Sequence, residues 1–118
     1  MDGEISTDEV RDLLERGSTP RIVDIRSPAA FARSHIPGSE NIPFGELPER
    51  IESLSGADHI VTVCPHGKAS VQAARLIASF EGTADARVES MAGGLEAWEG
   101  SIDSELETEA ASESDAPF

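Results

Sequence analysis

The chain has 118 residues, of which 38% are hydrophobic, and this is enough for one compact domain with a core. Its 23 acidic residues against 9 basic ones give a net charge of -14, which disfavours partners such as nucleic acid and anionic membranes. No apolar stretch reaches the length of a membrane span, the first residues lack a signal peptide, and the single cysteine suits a reducing compartment, so we expect a cytoplasmic protein.

A helix near the N-terminus is predicted by its capping residues. Ser6 can cap it, Glu9 stands three residues later as in a capping box, and the apolar residues that follow recur at helical spacing. Gly17 is placed to end this helix. We predict that the helix is structural.

A short strand is predicted over residues 21–26, and residues 27–33 are predicted to form a short helix that opens on Ser-Pro. Asp24 and Arg26 fall near the end of the strand. There we favour a structural ion pair over catalysis, since ion-pair networks are common outside active sites. His35 lies in the turn that follows, and for it a hydrogen bond within the loop is favoured over a catalytic role.

Further elements complete the predicted domain. Residues 45–54 are predicted to form a helix with three core-facing residues, Leu47, Ile51 and Leu54. Residues 59–63 are almost continuously apolar, which is typical of a central strand covered on both faces. A last strand is predicted over residues 87–91. It is followed by a double-glycine turn where backbones pack closely, and by a short helix that reaches Trp98, predicted to be a core anchor.

The most informative stretch leads from the central strand through a short loop into another helix. Cys64, the only cysteine, follows the strand. The predicted loop after it consists of Pro65, His66, Gly67, Lys68, Ala69 and Ser70. The helix is predicted from Val71 onwards, with Gly82 as its end. Its predicted buried stripe consists of Ala73, Leu76, Ile77 and Phe80.

This arrangement predicts that Cys64 is a nucleophile acting on a small anion. Ligands of open α/β sheets bind outside the carboxyl ends of the strands, where loop N–H groups and a helix start attract anions and favour a thiolate. A lone cysteine is often a buried small hydrophobe, but these loop residues are poor core formers. Lys68, the only lysine, supplies a local cation. Cys64 and His66 are too close in sequence for a usual zinc set, so we expect neither a metal nor a cofactor.

The domain is predicted to span residues 1–100, and residues 101–118 to form an acidic, disordered tail. From Glu99 onwards there are seven acids and no base. Many acids with a single lysine predict a halophilic host, whose salt would screen the repulsion between carboxylates. An ordinary acidic protein with an acidic tail is the alternative.

Several stretches together resemble the single-domain rhodanese family. They are Val23-Asp24-Ile25-Arg26, Phe31 with His35-Ile36-Pro37-Gly38-Ser39, Asn41-Ile42-Pro43, the stretch from Val63 to Ser70, and Gly93-Gly94-Leu95-Glu96-Ala97-Trp98. Their order and spacing match over roughly residues 4–100. The resemblance implies the rhodanese α/β fold, a mainly parallel sheet of about five strands with helices on both faces.

The resemblance also implies sulfurtransferase chemistry. Cys64 would match the nucleophile that takes the outer sulfur of thiosulfate or a similar anionic donor. Residues 65–70 would match the loop that cradles the persulfide, while Asp24 and Arg26 would hold the structure around it. Family loops often carry arginine in the place of Ala69. With no second cysteine, the acceptor must be external: cyanide, a small thiol or another protein.

Other functions remain open at this point. A phosphatase or arsenate reductase of the same fold would need an arginine where Ser70 stands, because a guanidinium binds a tetrahedral oxyanion through two hydrogen bonds. A second alternative is a sulfur carrier that a protein persulfide loads for a biosynthetic pathway. A binding module without catalysis is the third.

Overall fold

The computed structural model describes residues 1–104. The strands are β1 (Glu4–Ile5), β2 (Arg21–Asp24), β3 (Glu40–Asn41), β4 (His59–Val63) and β5 (Arg87–Met91). The α-helices are α1 (Thr7–Glu15), α2 (Pro28–Arg33), α3 (Leu47–Arg50) and α4 (Ala69–Ala78). None of the helices in the described part of the chain is long and apolar enough to cross a membrane.

The five strands form one parallel sheet in the order β1-β5-β4-β2-β3. This confirms the predicted α/β fold with a mainly parallel sheet. β4 lies in the middle, paired with β2 and β5, which explains why its sequence is apolar almost throughout. The carboxyl ends of all the strands therefore meet at one edge of the sheet.

Helices cover both faces of this sheet. Successive residues of a strand point to opposite faces, so Ile60 packs in one apolar cluster and Val61 in the other. The first cluster includes Ile77 of α4 and Leu47 of α3. The second includes Val10 of α1. Because β4 is packed between the two clusters, the position of Cys64, which follows β4, is fixed as well.

The N-terminal helix begins as predicted. Ser6 is its N-cap, and the Ser6 side chain accepts a hydrogen bond from the N–H of Glu9 at 3.1 Å. The two-residue strand β1 just before it is not predicted from sequence, because two residues are too few to show a period. Only its pairing with Ser90 and Met91 of β5 makes it a strand.

The prediction of a single helix over residues 45–54 is wrong in detail. This segment is a 3₁₀ turn over Phe44–Glu46, then α3, then a second 3₁₀ turn over Ile51–Leu54. Pro48 stands in the first turn of α3 and lacks the N–H that would continue a regular helix from the turn before it. The apolar residues predicted to face the core are nevertheless buried.

Two other helix predictions also need correction. α4 begins at Ala69, two residues earlier than predicted, and ends at Ala78, so Phe80 lies beyond the helix. The backbone of Phe80 is extended, and Gly82 lies in the 3₁₀ turn that follows rather than ending α4. The short helix predicted before Trp98 is a 3₁₀ turn. Trp98 itself is partly buried against the second apolar cluster.

The first residues of the predicted acidic tail contact the domain. Asp103 forms an isolated antiparallel bridge with His35, and their backbones exchange two hydrogen bonds of 2.9 and 2.8 Å. The rest of that prediction concerns residues 105–118, which lie outside the described residues.

Candidate active site

The site lies at the carboxyl edge of the sheet, where Cys64 follows β4. Neighbouring segments hold the backbone on both sides of it. The N–H of Ile25 donates to the carbonyl oxygen of Val63 at 3.0 Å, and the N–H of Leu95 donates to that of Cys64 at 2.9 Å. The sulfur-bearing residue is therefore tied to the segments that follow β2 and β5.

The segment after Cys64 curls around its sulfur atom. The N–H of Gly67 donates to Sγ at 3.0 Å, and the N–H of Ser70 donates to it at 3.3 Å. The hydroxyl oxygen of Ser70 lies 3.2 Å from Sγ, within hydrogen-bond distance. Cys64 is only 2% exposed, so these groups replace water as the solvation of the sulfur.

These contacts change the acidity of the thiol. Burial raises the pKa of Cys64, because it disfavours the charged thiolate. Hydrogen bonds from the Ser70 hydroxyl and from the N–H groups of Ser70, His66 and Gly67 act in the opposite direction and outweigh burial. The pKa of Cys64 is therefore lowered below its usual value, which makes the thiolate, the reactive form, more abundant near neutral pH.

We predict that replacing Ser70 by alanine raises the pKa of Cys64, since the variant loses the hydroxyl that stabilises the thiolate but keeps the backbone N–H. The rate of alkylation by iodoacetamide, measured against pH, should then have its midpoint at higher pH. At pH 7 we expect the rate to fall by about three- to tenfold, because a smaller fraction of Cys64 is then the thiolate. An unchanged midpoint would mean that the hydroxyl does not stabilise the thiolate.

The loop is shaped by glycines from two distant parts of the chain. Gly67 has φ +81°, and a Cβ there would come within 2.7 Å of the Gly93 nitrogen. Gly94 has φ +64°, and a Cβ there would overlap the carbonyl oxygens of Cys64 and Pro65. The double-glycine turn is thus a site of close backbone packing, as predicted, and its neighbour in space is the Cys64 loop.

Other loop residues point away from the sulfur or lie at the rim. The exposed imidazole of His66 is hydrogen-bonded through Nδ1 to the Glu96 carboxylate at 2.5 Å. Lys68 and Ala69 are exposed at the start of α4, with Lys68 in the N-cap position. Of the six residues that the sequence assigned to the loop, the structure brings Gly67 and Ser70 within hydrogen-bond distance of Sγ, and the backbone N–H of His66 also contributes to lowering the pKa of Cys64.

Two residues at the site were not found from the sequence. Ser90 of β5 is fully buried, and its hydroxyl lies 2.7 Å from that of Ser70. Glu96 holds His66, as described above. A hydroxyl in a buried strand is the only indication that the sequence offers for Ser90, and nothing local indicates which residue a buried serine will contact.

Asp24 and Arg26 form the ion pair favoured from the sequence. Arg26 Nη2 lies 2.8 Å from Asp24 Oδ2, and the two side chains are 13% and 1% exposed. Asn41 adds hydrogen bonds of 3.0 Å to the carbonyl oxygens of both residues. This network fixes the chain that leaves β2 next to the site.

His35 lies outside the cluster around the sulfur. Its Nδ1 is 2.7 Å from the carbonyl oxygen of Phe31, so Nδ1 carries the proton of that hydrogen bond. Its ring stacks on that of Phe31 with 3.9 Å between the centroids. Both contacts are those of a structural side chain.

Replacing Asp24 by asparagine is expected to lower the free energy of unfolding by about 3 kcal/mol, because it leaves the mostly buried Arg26 charge without its partner. Denaturant unfolding of both proteins measures the difference. The matched control is Asp12→Asn, which breaks a 2.9 Å pair with Arg16 whose side chains are both 61% exposed. That change should cost no more than about 0.5 kcal/mol. Equal losses in both variants would contradict the role of burial.

Residues 1–104 contain no group of three or more histidine, cysteine, aspartate or glutamate side chains that could hold a metal ion. At the carboxyl edge of the sheet, the site presents the cysteine sulfur and the hydrogen-bond donors around it.

The chain is similar to several known proteins. The sequence-family model of the rhodanese-like domain matches residues 6–101. The thiosulfate sulfurtransferase GlpE of Pseudomonas aeruginosa is 37% identical over 94 residues, which are 80% of this chain and 81% of that protein. The putative sulfur carrier protein YrkF of Bacillus subtilis is 33% identical over 72 residues, which are 61% of this chain and 39% of that protein. The rhodanese-like domain of the Alr3790 protein from Anabaena sp. has a similar structure, with a TM-score of 0.75, 25% identity, and coverage of 92% of this chain and 83% of that one.

Proposed function

Because the chain belongs to the family of rhodanese-like domains, we propose that it is a sulfurtransferase that carries a sulfane sulfur as a persulfide on Cys64. The observation that carries this proposal is the ring of donors around Sγ, formed by two N–H groups and one hydroxyl of Gly67 and Ser70. Such donors stabilise an anionic sulfur without having to reorganise during the reaction.

The proposed reaction has two displacements at sulfur. In the first, the Cys64 thiolate attacks the outer sulfur of thiosulfate, a new S–S bond forms, the S–S bond of thiosulfate breaks, and sulfite leaves with the bonding electron pair. In the second, cyanide or a thiolate attacks the outer sulfur of the persulfide, and the Cys64 thiolate leaves. Covalent catalysis thereby divides one transfer into two easier ones.

The acceptor in this proposal comes from outside the chain. Cys64 is the only cysteine among these 118 residues, so no second thiol within them can release the sulfur by forming a disulfide with Cys64. The persulfide must therefore wait for a small thiol, for cyanide or for a thiol of another protein. The loop shields Cys64 from water, which supports a persulfide that persists until an acceptor arrives.

Intact mass spectrometry tests the proposal directly. After incubation with thiosulfate and removal of excess reagent, the protein should gain the mass of one sulfur atom. Cyanide should remove that mass and release one equivalent of thiocyanate. Protein alkylated at Cys64 before incubation is the control and should gain nothing. If neither thiosulfate nor a desulfurase persulfide loads the protein, the proposal is wrong.

A sulfur carrier is the second candidate function, because a relative of the chain is named a putative sulfur carrier protein. The same persulfide would then be loaded by another protein and handed to a biosynthetic partner. Slow turnover with thiosulfate together with fast loading from a desulfurase persulfide would favour the carrier. The reverse order of rates favours the thiosulfate enzyme.

The same site argues against a phosphatase or arsenate reductase. Ser70 occupies the position at which those enzymes would need an arginine, and it is fully buried with its hydroxyl between Cys64 and Ser90. No forked guanidinium can therefore bind a tetrahedral oxyanion from this position.

A further inference from the structure

Two buried serine hydroxyls form a chain that ends at the reactive sulfur. Ser90 Oγ lies 2.7 Å from Ser70 Oγ, which in turn lies 3.2 Å from Cys64 Sγ. Both serines are fully buried. We propose that Ser90 is a positioning residue for the reaction, which orients the hydroxyl of Ser70 so that it donates to the sulfur whenever the sulfur is an anion.

The proposal follows from counting the hydrogen atoms that can be donated along this chain of hydrogen bonds. A serine hydroxyl has one hydrogen to donate, and a thiolate has none. When Cys64 is a thiolate, Ser70 must donate to Sγ, so the oxygen of Ser70 is left to accept from Ser90. Two hydrogens then fill two contacts, and each donor has a partner.

The neutral thiol of Cys64 satisfies the same row of hydrogen bonds less well than the thiolate does. With the S–H hydrogen added, three hydrogens share the same two contacts, and one donor is left over. Within residues 1–104, Ser70 is the only recorded hydrogen-bond partner of the Ser90 hydroxyl. A buried donor without a partner is unfavourable, so the serine pair favours the anionic sulfur over the thiol.

The backbone holds Ser90 in a fixed place for this role. Ser90 pairs with Thr62 of β4 on one side and with Glu4 of β1 on the other. Its N–H also donates to the carbonyl oxygen of Gly3 at 3.1 Å. Because a strand held on both sides cannot shift easily, Ser90 Oγ is a rigid reference for the rotation of the Ser70 hydroxyl.

Ser70 is held from the same part of the sheet. The Thr62 hydroxyl donates to the carbonyl oxygen of Ser70 at 2.6 Å, which fixes the backbone of the first turn of α4. Ser70 can therefore respond to Ser90 only by turning its hydroxyl. The effect of Ser90 on the sulfur should then pass entirely through Ser70.

A double-mutant cycle tests this inference. Alkylation of Cys64 by iodoacetamide is measured against pH for wild type, Ser90→Ala, Ser70→Ala and the double variant. Ser90→Ala should move the midpoint upward by about 0.5 pH units, a smaller shift than that of Ser70→Ala. In the double variant, the midpoint should equal that of Ser70→Ala. An unchanged midpoint in Ser90→Ala, or an equal shift when Ser70 is already alanine, would overturn the proposal.

A matched pair of variants separates the hydroxyl from the volume of the side chain. Threonine and valine have the same shape, so Ser90→Thr should keep the wild-type midpoint, whereas Ser90→Val should shift it as alanine does. Thr83→Ala removes a buried hydroxyl that bonds to the Ile77 carbonyl oxygen, and it should leave the midpoint unchanged. If Ser90→Thr and Ser90→Val have the same midpoint, the hydroxyl is not the cause.

The inference rests on the proposed function in one respect only, namely that the thiolate favoured by Ser90 serves sulfur transfer. Alkylation reports the thiolate whether or not the protein loads sulfur. A shifted midpoint in a protein that gains no sulfur would support the role of Ser90 and contradict the sulfurtransferase. Normal sulfur loading with no shift would contradict the role of Ser90 alone.

Discussion

Replacing Cys64 by serine is expected to abolish sulfur transfer completely while the protein remains folded. A serine oxygen cannot form a persulfide, and its proton is far more weakly acidic than that of a thiol held by these donors. The fold should survive, because the hydroxyl can accept the N–H groups of Gly67 and Ser70 that now donate to sulfur. We expect the free energy of unfolding to change by no more than about 1 kcal/mol.

The measurement has two parts. Intact mass after incubation with thiosulfate should show no added sulfur in the variant, and no thiocyanate should form on addition of cyanide. Denaturant unfolding, run in parallel, shows whether the variant is folded. Wild-type protein alkylated at its single cysteine is the chemical control and should behave as the variant does. Sulfur transfer at the wild-type rate by Cys64→Ser would refute the assignment of the nucleophile.

Replacing Gly94 by alanine is expected to damage both stability and activity. The new Cβ would overlap the carbonyl oxygens of Cys64 and Pro65, which belong to the backbone and cannot rotate away. The N–H groups of Leu95 and Glu96 bond to the same two oxygens at 2.9 and 3.0 Å, so the strain reaches the loop that holds the sulfur. We expect a loss of about 3 kcal/mol in the free energy of unfolding. Under conditions in which the Gly94→Ala variant is still folded, we also expect its sulfur loading to slow by up to about 100-fold.

Gly38→Ala is the matched control for this prediction. Gly38 has φ +80°, close to the φ of the other glycine residues in turns, but a Cβ there would meet nothing within 4 Å. The control therefore carries the backbone strain of a positive φ, worth about 1 kcal/mol, without the overlap. Its sulfur loading should match the wild type. If both variants lose the same stability and keep the same activity, the turn does not shape the loop.

Two of the three strands that border the site could be predicted to the residue, whereas β2 ends at Asp24, two residues before its predicted end. β4 and β5 have the predicted bounds of 59–63 and 87–91 because four of the five residues in each strand are buried and turn residues bound both strands. Helix ends were less predictable. α4 starts at Ala69, inside what the sequence indicated as loop, since its first turn is held by the sulfur contact of Ser70 as well as by helical bonding.

The candidate site was only partly predictable for a similar reason. Cys64 stands out in sequence because a lone cysteine is followed at once by residues that avoid a core. The Asp24–Arg26 pair was also predictable, since its partners are two residues apart. Ser90 and Glu96 could not be assigned, because each acts on a residue 20 or 30 positions away.

The sequence by itself determined the central strand and the N-cap of α1 and singled out Cys64 as the candidate nucleophile, because each depends on the chemistry or spacing of residues close together in the chain. The fold class followed from the order of several stretches that resemble one family. The tertiary structure decided which groups surround the sulfur. It brought the Gly93-Gly94 turn against the Cys64 loop, and Ser90 of β5 to the hydroxyl of Ser70. The physical reason is that parallel strands meet at one edge only after the chain has crossed over between them. Contacts at that edge join residues that are far apart in sequence, and no local sequence pattern indicates which of them will meet.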